Sequence, residues 1–255
     1  MAPEYSRTEL MIVAASREIR NGDRVMVGIG LPVLAGLLAK RTTAPRITML
    51  FESGVIDARP SRLALTMGDP ALVTNAAMLV DMADLFALTL QRGIVDIGFL
   101  GAAQVDKHGN LNSSVVGDYQ SPKVRLPGSG GACEIASLAK RFIVIMPHEK
   151  RRIVEKVDFI TSPGNIEGRR EKGIRGGGPS AVITTLGICR FDEKGEMWVE
   201  SFHPGVSREE VEQNTGWPIK IAEHVKETEP PSSDQLDILR NELDPNRIFL
   251  GKPVE

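Results

Sequence analysis

The chain has 255 residues, of which 42% are hydrophobic and 25% are charged, as in ordinary globular proteins that bury a core. A formal net charge of −2 gives no general attraction to nucleic acids or anionic membranes. The two cysteines and the scattered histidines lack metal-ligand spacing, and no apolar run reaches the roughly 20 residues of a transmembrane helix. With its polar N-terminus, MAPEYSRTEL, the chain is expected to be a cytoplasmic protein without a bound metal.

The first 150 residues alternate between predicted helices and strands. Ser6 and Glu9 form a capping box that predicts the first helix, and Pro32 suits the first turn of the second. Near-continuous apolar runs predict four strands, at 24–30, 47–54, 94–102 and 141–147. One or two helices are expected within 69–90, and another after the glycine-rich loop at 128–131. This order predicts an α/β fold with a mostly parallel sheet and helices on both faces.

The composition changes after Pro147. Residues 161–179 are rich in Gly, Arg and Ser and predict a surface loop. Two apolar segments around the DEKG turn predict a hairpin, and a helix is expected after Ser207 and another at 234–243. We expect one domain spanning 1–255, in which 1–150 form the α/β core and 151–255 supply the loop, the hairpin and the C-terminal helices packed on it.

A carboxylate stands at the tip of the second predicted strand. Glu52 follows the apolar run ITMLF, and Ser53 and Gly54 allow a tight turn directly after it. In open α/β sheets, ligands bind outside the carboxyl ends of the strands, so Glu52 is a candidate site residue. The alternative is an acid that favours the dipole of a following helix.

Two glycine-containing turns also follow predicted strands. Gly28 and Gly30 lie in VGIGLP, and Gly128, Gly130, Gly131 and Ala132 lie in GSGGA at the start of a predicted helix. Successive backbone N–H groups at such a turn can bind an anion or an oxyanion, although either turn can serve packing alone. Neither matches the spacing of a P-loop or a dinucleotide fingerprint. The glycine turns and Glu52 at the strand ends together suggest a cleft. Gln104, after the strand at 94–102, can donate a hydrogen bond into it.

Several blocks occur together in a recognisable order: VGIGLP, the strand ending in ESG, GAAQVDKHGNLNSSVVGDY, PKVRLPGSGGA, MPHEKRR, VDFITSPG and the late hairpin. They resemble the β subunit of the family I CoA-transferases, within that family most closely the B subunit of glutaconate CoA-transferase. The resemblance covers nearly the whole chain. The segment FESG departs from the pattern, because Phe51 replaces a smaller apolar residue. Phe51 can narrow or reshape the acyl pocket, although a residue directly before Glu52 on a strand is expected to point to the opposite face.

The resemblance implies a role for Glu52. In this family the corresponding glutamate is the nucleophile, which passes through an acyl-glutamyl anhydride to a glutamyl-CoA thioester in a ping-pong reaction. The resemblance also implies that Gly128 to Ala132 supply oxyanion donors, each typically worth about 3 kcal/mol, and that Gly28, Gly30 and Gln104 line the site. Coenzyme A is then a substrate and part of the covalent intermediate, and no permanently bound cofactor or metal is expected.

The family also implies a partner. Its members combine two related α/β halves, so we expect a homologous α subunit in a heterodimer that pairs further to α2β2. Two other functions stay open at this point. One is a CoA-ester hydrolase or decarboxylase on the same scaffold, and the other is a non-catalytic subunit that binds acyl-CoA or stabilises a partner. The acyl-CoA and the acceptor acid are not defined by the sequence.

Overall fold

The computed structural model describes residues 4–60 and 62–251. The helices are α1 (Arg7–Arg17), α2 (Leu31–Arg41), α3 (Met82–Leu85), α4 (Ala132–Leu138), α5 (Arg208–Gln213) and α6 (Ser233–Asp237). Helix α3 continues as a wider π-turn (Phe86–Leu90), α6 continues as another (Ile238–Leu243), and a short 3₁₀ helix spans Pro70–Val73.

Fourteen strands are present in the described residues. They are β1 (Arg24–Val27), β2 (Thr48–Phe51), β3 (Val55–Ile56), β4 (Met78–Leu79), β5 (Ile97–Leu100), β6 (Gln104–Val105), β7 (Leu111–Asn112), β8 (Val115–Gly117), β9 (Pro122–Arg125), β10 (Phe142–Met146), β11 (Pro179–Thr184), β12 (Gly187–Phe191), β13 (Met197–Phe202) and β14 (Lys220–Glu227).

The chain divides into two compact units. The first contains the described residues up to Phe99 and those from Glu229 onward, and the second spans Leu100–Thr228. This division differs from the predicted parts 1–150 and 151–255, because the C-terminal helices belong with the N-terminal unit. The expectation of a single domain over 1–255 stays a prediction.

The first unit contains strands in the order β5-β1-β2-β3-β4. Strand β1 is parallel to both β5 and β2, and β3 and β4 extend the sheet in antiparallel fashion. The central strands are almost wholly buried, as near-continuous apolar sequences require. Helix α1 begins with the predicted capping box of Ser6 and Glu9. The buried Glu9 carboxylate also pairs with Arg240, which ties the last helical segment to α1.

The second unit contains strands in the order β14-β13-β12-β11-β10. Strands β10 and β11 are parallel, as are β13 and β14, whereas β12 is antiparallel to both of its neighbours. The predicted hairpin is confirmed as β12 and β13 around the turn that begins at Asp192. Two small antiparallel pairs, β6 with β7 and β8 with β9, complete the unit. The predicted α/β class with a mostly parallel sheet is confirmed.

The segment 69–90 combines short helices with a strand. The one or two helices predicted within 69–90 are present as the 3₁₀ helix and as α3 with its π-turn, and β4 lies between them, where Met78 and Leu79 extend along β3. In the described part of the chain, no helix has the length and apolar character to cross a membrane.

Candidate active site

Glu52 lies in the turn that joins β2 to β3. The turn is tight, since Phe51 stands opposite Val55 in the ladder and the N–H of Gly54 donates to the carbonyl of Phe51 at 2.9 Å. Glu52 is half-buried. The predicted position of this carboxylate, at the carboxyl end of a buried strand, is therefore present in the fold.

Gly54 is sterically required at the end of this turn. Its φ is +92°, in the region that favours glycine, and an added Cβ would lie 2.0 Å from the carbonyl oxygen of Val80. The N–H of Val80 donates to the carbonyl of Gly54 at 3.0 Å. The backbone of Val80 thus packs directly against Gly54. This contact restricts the conformation of the turn that contains Glu52.

Ser53 adds a feature that the sequence did not reveal. Its hydroxyl oxygen is buried and has no hydrogen-bond partner among the described residues. A buried hydroxyl without a partner carries a free-energy cost, so this atom is a candidate donor to a water or a substrate group. In the sequence, the Ser-Gly pair indicated only a turn.

Gly28 and Gly30 lie in the same unit as Glu52. They follow β1, which is parallel to β2 with Met26 opposite Leu50, so both loops leave the same edge of the sheet. Gly30 has a φ of +101° and immediately precedes α2, while an added Cβ on either glycine would meet no atom within 4 Å. The space beside this loop is open, as close approach of a ligand to the backbone would require.

Gln104 lies in the second unit and is 6% exposed. Its carbonyl oxygen accepts from the Asn112 side chain at 2.7 Å and from the backbone N–H of Asp158 at 3.1 Å. Its amide nitrogen donates to the Asp158 carboxylate at 3.1 Å. Both polar ends therefore have internal partners, which favours a structural part for this side chain. Its predicted place in the binding site stays a prediction.

The loop from Gly128 to Ala132 is anchored to the segment after β7. The N–H of Gly128 donates to the carbonyl of Ser113 at 2.9 Å, and the Ser113 hydroxyl donates back to the carbonyl of Gly128 at 2.8 Å. The N–H of Ala132 donates to the carbonyl of Ser129 at 2.9 Å. These two N–H groups already have acceptors within the described residues, and the predicted oxyanion role of this loop stays a prediction.

Gly130 and Gly131 occupy the middle of that loop. Gly130 is exposed, with a φ of +49°, and Gly131 is buried directly before α4. The predicted site residues thus form two sets in different units. One set is Glu52 with Gly28 and Gly30, and the other is Gln104 with residues 128–132. Their catalytic and binding roles stay predictions.

The Gly/Arg-rich segment 164–178 is held in place by Arg169. Its guanidinium donates to the carbonyls of Pro163 and Ala136 at 3.1 and 3.0 Å, and also to those of Gly164 and Gly176. Burial lowers the pKa of this guanidinium, and all four acceptors are uncharged. The segment is therefore fastened within the second unit by hydrogen bonds to carbonyls.

A buried network of two histidines also lies in the second unit. The His148 ring contacts the hydroxyls of Thr184 and Thr215, each at 3.0 Å, and His203 contacts the hydroxyl of Thr228 and the carbonyl of Thr184. Burial lowers the pKa of His148 to about 4, so its ring is neutral at neutral pH. Among the residues that the structure describes, no cluster of three or more His, Cys, Asp or Glu could hold a metal ion.

Comparison with known proteins identifies the family. The chain is 48% identical over 240 residues to the B subunit of 3-oxoadipate CoA-transferase from Pseudomonas knackmussii, and the match covers 92% of each chain. It is 36% identical over 260 residues to the B subunit of glutaconate CoA-transferase from Acidaminococcus fermentans, covering 98% of this chain and 97% of that one. The expected likeness to the glutaconate enzyme is thus confirmed, although the identity to the 3-oxoadipate enzyme is higher.

Solved structures agree with this relationship. The crystal structure of glutaconate coenzyme A-transferase from Acidaminococcus fermentans matches with a TM-score of 0.92 over 98% of both chains, at 36% identity. The decarboxylase AibA/AibB matches with a TM-score of 0.84 at 25% identity, over 96% of this chain and 97% of that one. The model of the Coenzyme A transferase family matches residues 8–214, and with these likenesses it shows that the chain belongs to the CoA-transferase family as a chain of the β-subunit type.

Proposed function

We propose that this chain is the β subunit of an acyl-CoA:carboxylate CoA-transferase in which Glu52 is the nucleophile. The observation that supports this most directly is the placement of Glu52 in a tight turn at the carboxyl end of β2, with Gly54 held against Val80. Membership of the CoA-transferase family supplies the reaction class.

The proposed reaction proceeds in balanced steps. A Glu52 carboxylate oxygen attacks the thioester carbonyl of the acyl-CoA, the C–S bond breaks, and CoA leaves as the thiolate with an acyl-glutamyl anhydride left behind. The thiolate then attacks the glutamyl carbonyl, which releases the first carboxylate and forms a glutamyl-CoA thioester. A second carboxylate enters and the same steps run in reverse, so the kinetics are ping-pong.

The turn and the two glycine loops each have a defined part in this proposal. The turn fixes the backbone that carries the nucleophile, which reduces the conformational freedom lost on reaching the transition state. The open space beside Gly28 and Gly30 admits the thioester close to the main chain. Negative charge on the carbonyl oxygen needs backbone donors, and we assign these to the Gly128–Ala132 loop, as the family resemblance implies.

The substrate class is proposed from the relatives. One relative with 48% identity over nearly the full chain is named for 3-oxoadipate, and another is named for glutaconate. Both names denote dicarboxylic acids, so we propose a CoA ester of a dicarboxylic acid as a substrate and 3-oxoadipate as the first acceptor to test. Coenzyme A is the only other small molecule in the proposal, and no metal or bound cofactor takes part.

The proposed partner is an α-type CoA-transferase subunit. The relatives are named as B or beta subunits, names that imply a second subunit in those proteins. We propose a heterodimer that pairs to α2β2 and acts in the cytoplasm.

The test is to trap the covalent intermediate. The chain is co-expressed with the α-type subunit from the same genome and incubated with a panel of acyl-CoAs, including succinyl-CoA, without an acceptor acid. After borohydride treatment and digestion, the peptide containing Glu52 is examined by mass spectrometry. We expect reduction of a glutamyl-CoA thioester to the alcohol at Glu52, and no such product when 3-oxoadipate is added before the borohydride.

The same experiment decides against the alternatives. Glu52→Gln is the matched control and should give no reducible adduct. An unmodified Glu52 across the panel, with CoA released into solution, would contradict the transferase and favour a hydrolase or decarboxylase, the latter represented by the likeness to AibA/AibB. A Glu52→Gln complex with full activity would instead assign a non-catalytic part to this chain.

A further inference from the structure

The first unit exposes an unusual concentration of apolar side chains. Among the described residues, ten large hydrophobic side chains are exposed, and half of these lie within 16 positions of the chain. We call this group the apolar edge, and it consists of Val73, Met78, Leu79, Met82 and Leu88. Single exposed apolar residues are common on protein surfaces, whereas five within one short segment favour an interaction site.

Strand β4 lies at the centre of the apolar edge. It is the outermost strand of the first unit and pairs with β3. Successive side chains of a strand point to opposite faces of the sheet, yet Met78 and Leu79 are 56% and 58% exposed. Neither face of β4 is therefore covered. An uncovered apolar strand at a sheet edge is a template for another chain.

The apolar edge is joined directly to the turn that carries Glu52. Leu79 stands opposite Val55, the first residue after that turn, and Met78 stands opposite Ile56. The next residue, Val80, donates to the carbonyl of Gly54, and its own carbonyl oxygen occupies the space that a Cβ on Gly54 would need. A partner that covers β4 would thus hold the backbone that shapes the catalytic turn.

The charges of the segment restrict the kind of partner. From Pro70 to Gln91, the only charged residues are Asp81 and Asp84, and both are exposed. If a second copy bound through the same patch by two-fold symmetry, both sides of the interface would carry the same two carboxylates and no basic side chain from this segment. Like charges placed opposite one another are destabilising. A different chain, with an apolar face and Lys or Arg beside it, is complementary.

We propose that the apolar edge is the docking surface for the α subunit, and that docking there steadies the Glu52 turn through Val80 and Gly54. The proposal rests on the two-subunit enzyme proposed above and assigns the surface on this chain that receives the partner. The α subunit then presents an apolar segment to β4, with basic side chains opposite Asp81 and Asp84.

The first test compares charged substitutions inside and outside the apolar edge. Met78→Asp and Leu79→Asp each place a carboxylate on an exposed position, so the isolated chain should keep its circular dichroism spectrum and melting temperature. Ile248→Asp is the matched control, because Ile248 is 48% exposed in the same unit and lies outside the edge. Association with the α subunit is measured by surface plasmon resonance in the absence of any acyl-CoA.

We expect the two edge variants to bind the α subunit at least about tenfold more weakly, as for truncation of a central interface residue, and the control to bind as wild type does. Activity of the edge variants should return as the α subunit concentration is raised. Equal affinity of wild type and both edge variants would overturn the proposal. So would dimers of the isolated chain that Leu79→Asp dissolves, because the occupant would then be a second copy.

A second test examines the charges. In the double variant Asp81→Asn with Asp84→Asn, the amide oxygen introduced at position 81 can still accept the N–H of Ala83, which Asp81 accepts at 2.8 Å, so the start of α3 is kept. We expect weaker binding at low salt and a shallower dependence of affinity on salt. An unchanged salt dependence would contradict basic residues opposite these acids.

These measurements separate this proposal from the proposed function. Association is read without substrate, whereas the reaction is read by the adduct at Glu52. Wild-type affinity in the edge variants with a normal adduct would remove only the docking surface. Loss of the adduct in a wild-type complex that still assembles would remove only the transferase.

Discussion

The turn at Glu52–Gly54 and the loop at Gly128–Ala132 both contain a Ser-Gly pair, but different interactions hold their backbones in place. Both carry glycines with positive φ next to a predicted site residue. In the turn, Gly54 is required because the Val80 carbonyl fills the space beside it. In the loop, nothing lies within 4 Å of a Cβ on Gly128, and two hydrogen bonds with Ser113, one donated in each direction, hold the backbone. Gly54 is thus required because no space exists for a side chain, whereas Gly128 is favoured only because its φ is positive.

The largest expected effect concerns the chemistry of the turn. Glu52→Gln keeps the size of a half-buried side chain but cannot form an anhydride, so we expect the CoA-transfer rate of the complex to fall by about 10⁴-fold or more. The melting temperature should change little. Steady-state turnover with an acyl-CoA and 3-oxoadipate measures this. A rate within tenfold of wild type would show that the turn does not carry the nucleophile.

Steric exclusion at the turn predicts the next largest effect. Gly54→Ala places a Cβ 2.0 Å from a backbone oxygen at a φ of +92°, and we expect a loss of about 4 kcal/mol or more in the free energy of unfolding. Urea denaturation measures it. The matched control is Gly28→Ala, whose Cβ meets no atom within 4 Å and whose φ is not in the positive region, and which should cost no more than about 1 kcal/mol. Equal losses for the two variants would remove the steric argument.

Mild acid should distinguish the two units. All four histidines lie in the second unit, and burial lowers the pKa of His148 to about 4 from 6.5, with smaller influences from Glu210 and His203. Since the unfolded chain binds the proton first, stability is fully present above pH 6.5 and is lost as the pH falls towards 4. The full loss is about 3 kcal/mol.

Denaturation at pH 7.0 and at pH 5.0 measures the part of this loss that falls between the two pH values, about 2 kcal/mol. His148→Gln should reduce the difference between the two pH values, whereas the exposed His224→Gln should leave it as in wild type. If His148→Gln showed the wild-type pH dependence, the acid sensitivity would have to be assigned to other groups.

Conformational freedom at the loop predicts a smaller effect. Gly128→Ala meets no atom, but its φ of +99° is unfavourable for an L-residue, and we expect a cost of about 1–2 kcal/mol in the free energy of unfolding. Thermal and urea denaturation measure it. A cost as large as that of Gly54→Ala would mean that the space beside Gly128 is closed in solution.

The smallest predicted effect concerns the hydrogen bond that anchors the loop. Ser113→Ala removes the donor to the carbonyl of Gly128 and should cost about 1 kcal/mol. Amide exchange of the peptide containing residues 128–132 should become faster, with no change at residues 52–54. Unchanged exchange in the loop peptide would show that the hydroxyl does not hold it.

Local signals predicted much of the fold. The capping box at Ser6 and Glu9, the proline of α2 and the apolar runs of β1, β2 and β10 each act within a few residues, so the sequence shows them directly. Strand β4 was not predicted because its exposed apolar residues have the composition of a core element. Periodicity alone does not show which apolar side chains lack a covering partner.

The candidate site was predicted only in part. The position of Glu52 followed from the strand pattern, and its implied role came from the family resemblance. The contact between Gly54 and Val80 joins residues 26 positions apart, and no local pattern indicates it. The same applies to Gln104, whose bonds to Asp158 depend on the tertiary fold.

The uncovered strand β4 also has a consequence for the production of this chain in a cell. A nascent chain folds before it meets a partner, and until then Met78 and Leu79 stay exposed. Chain made in excess of its partner would therefore present this strand to the chaperones and proteases of the cell, and its yield would depend on matched synthesis of the two subunits. Coordinated expression would then act as a form of protein quality control.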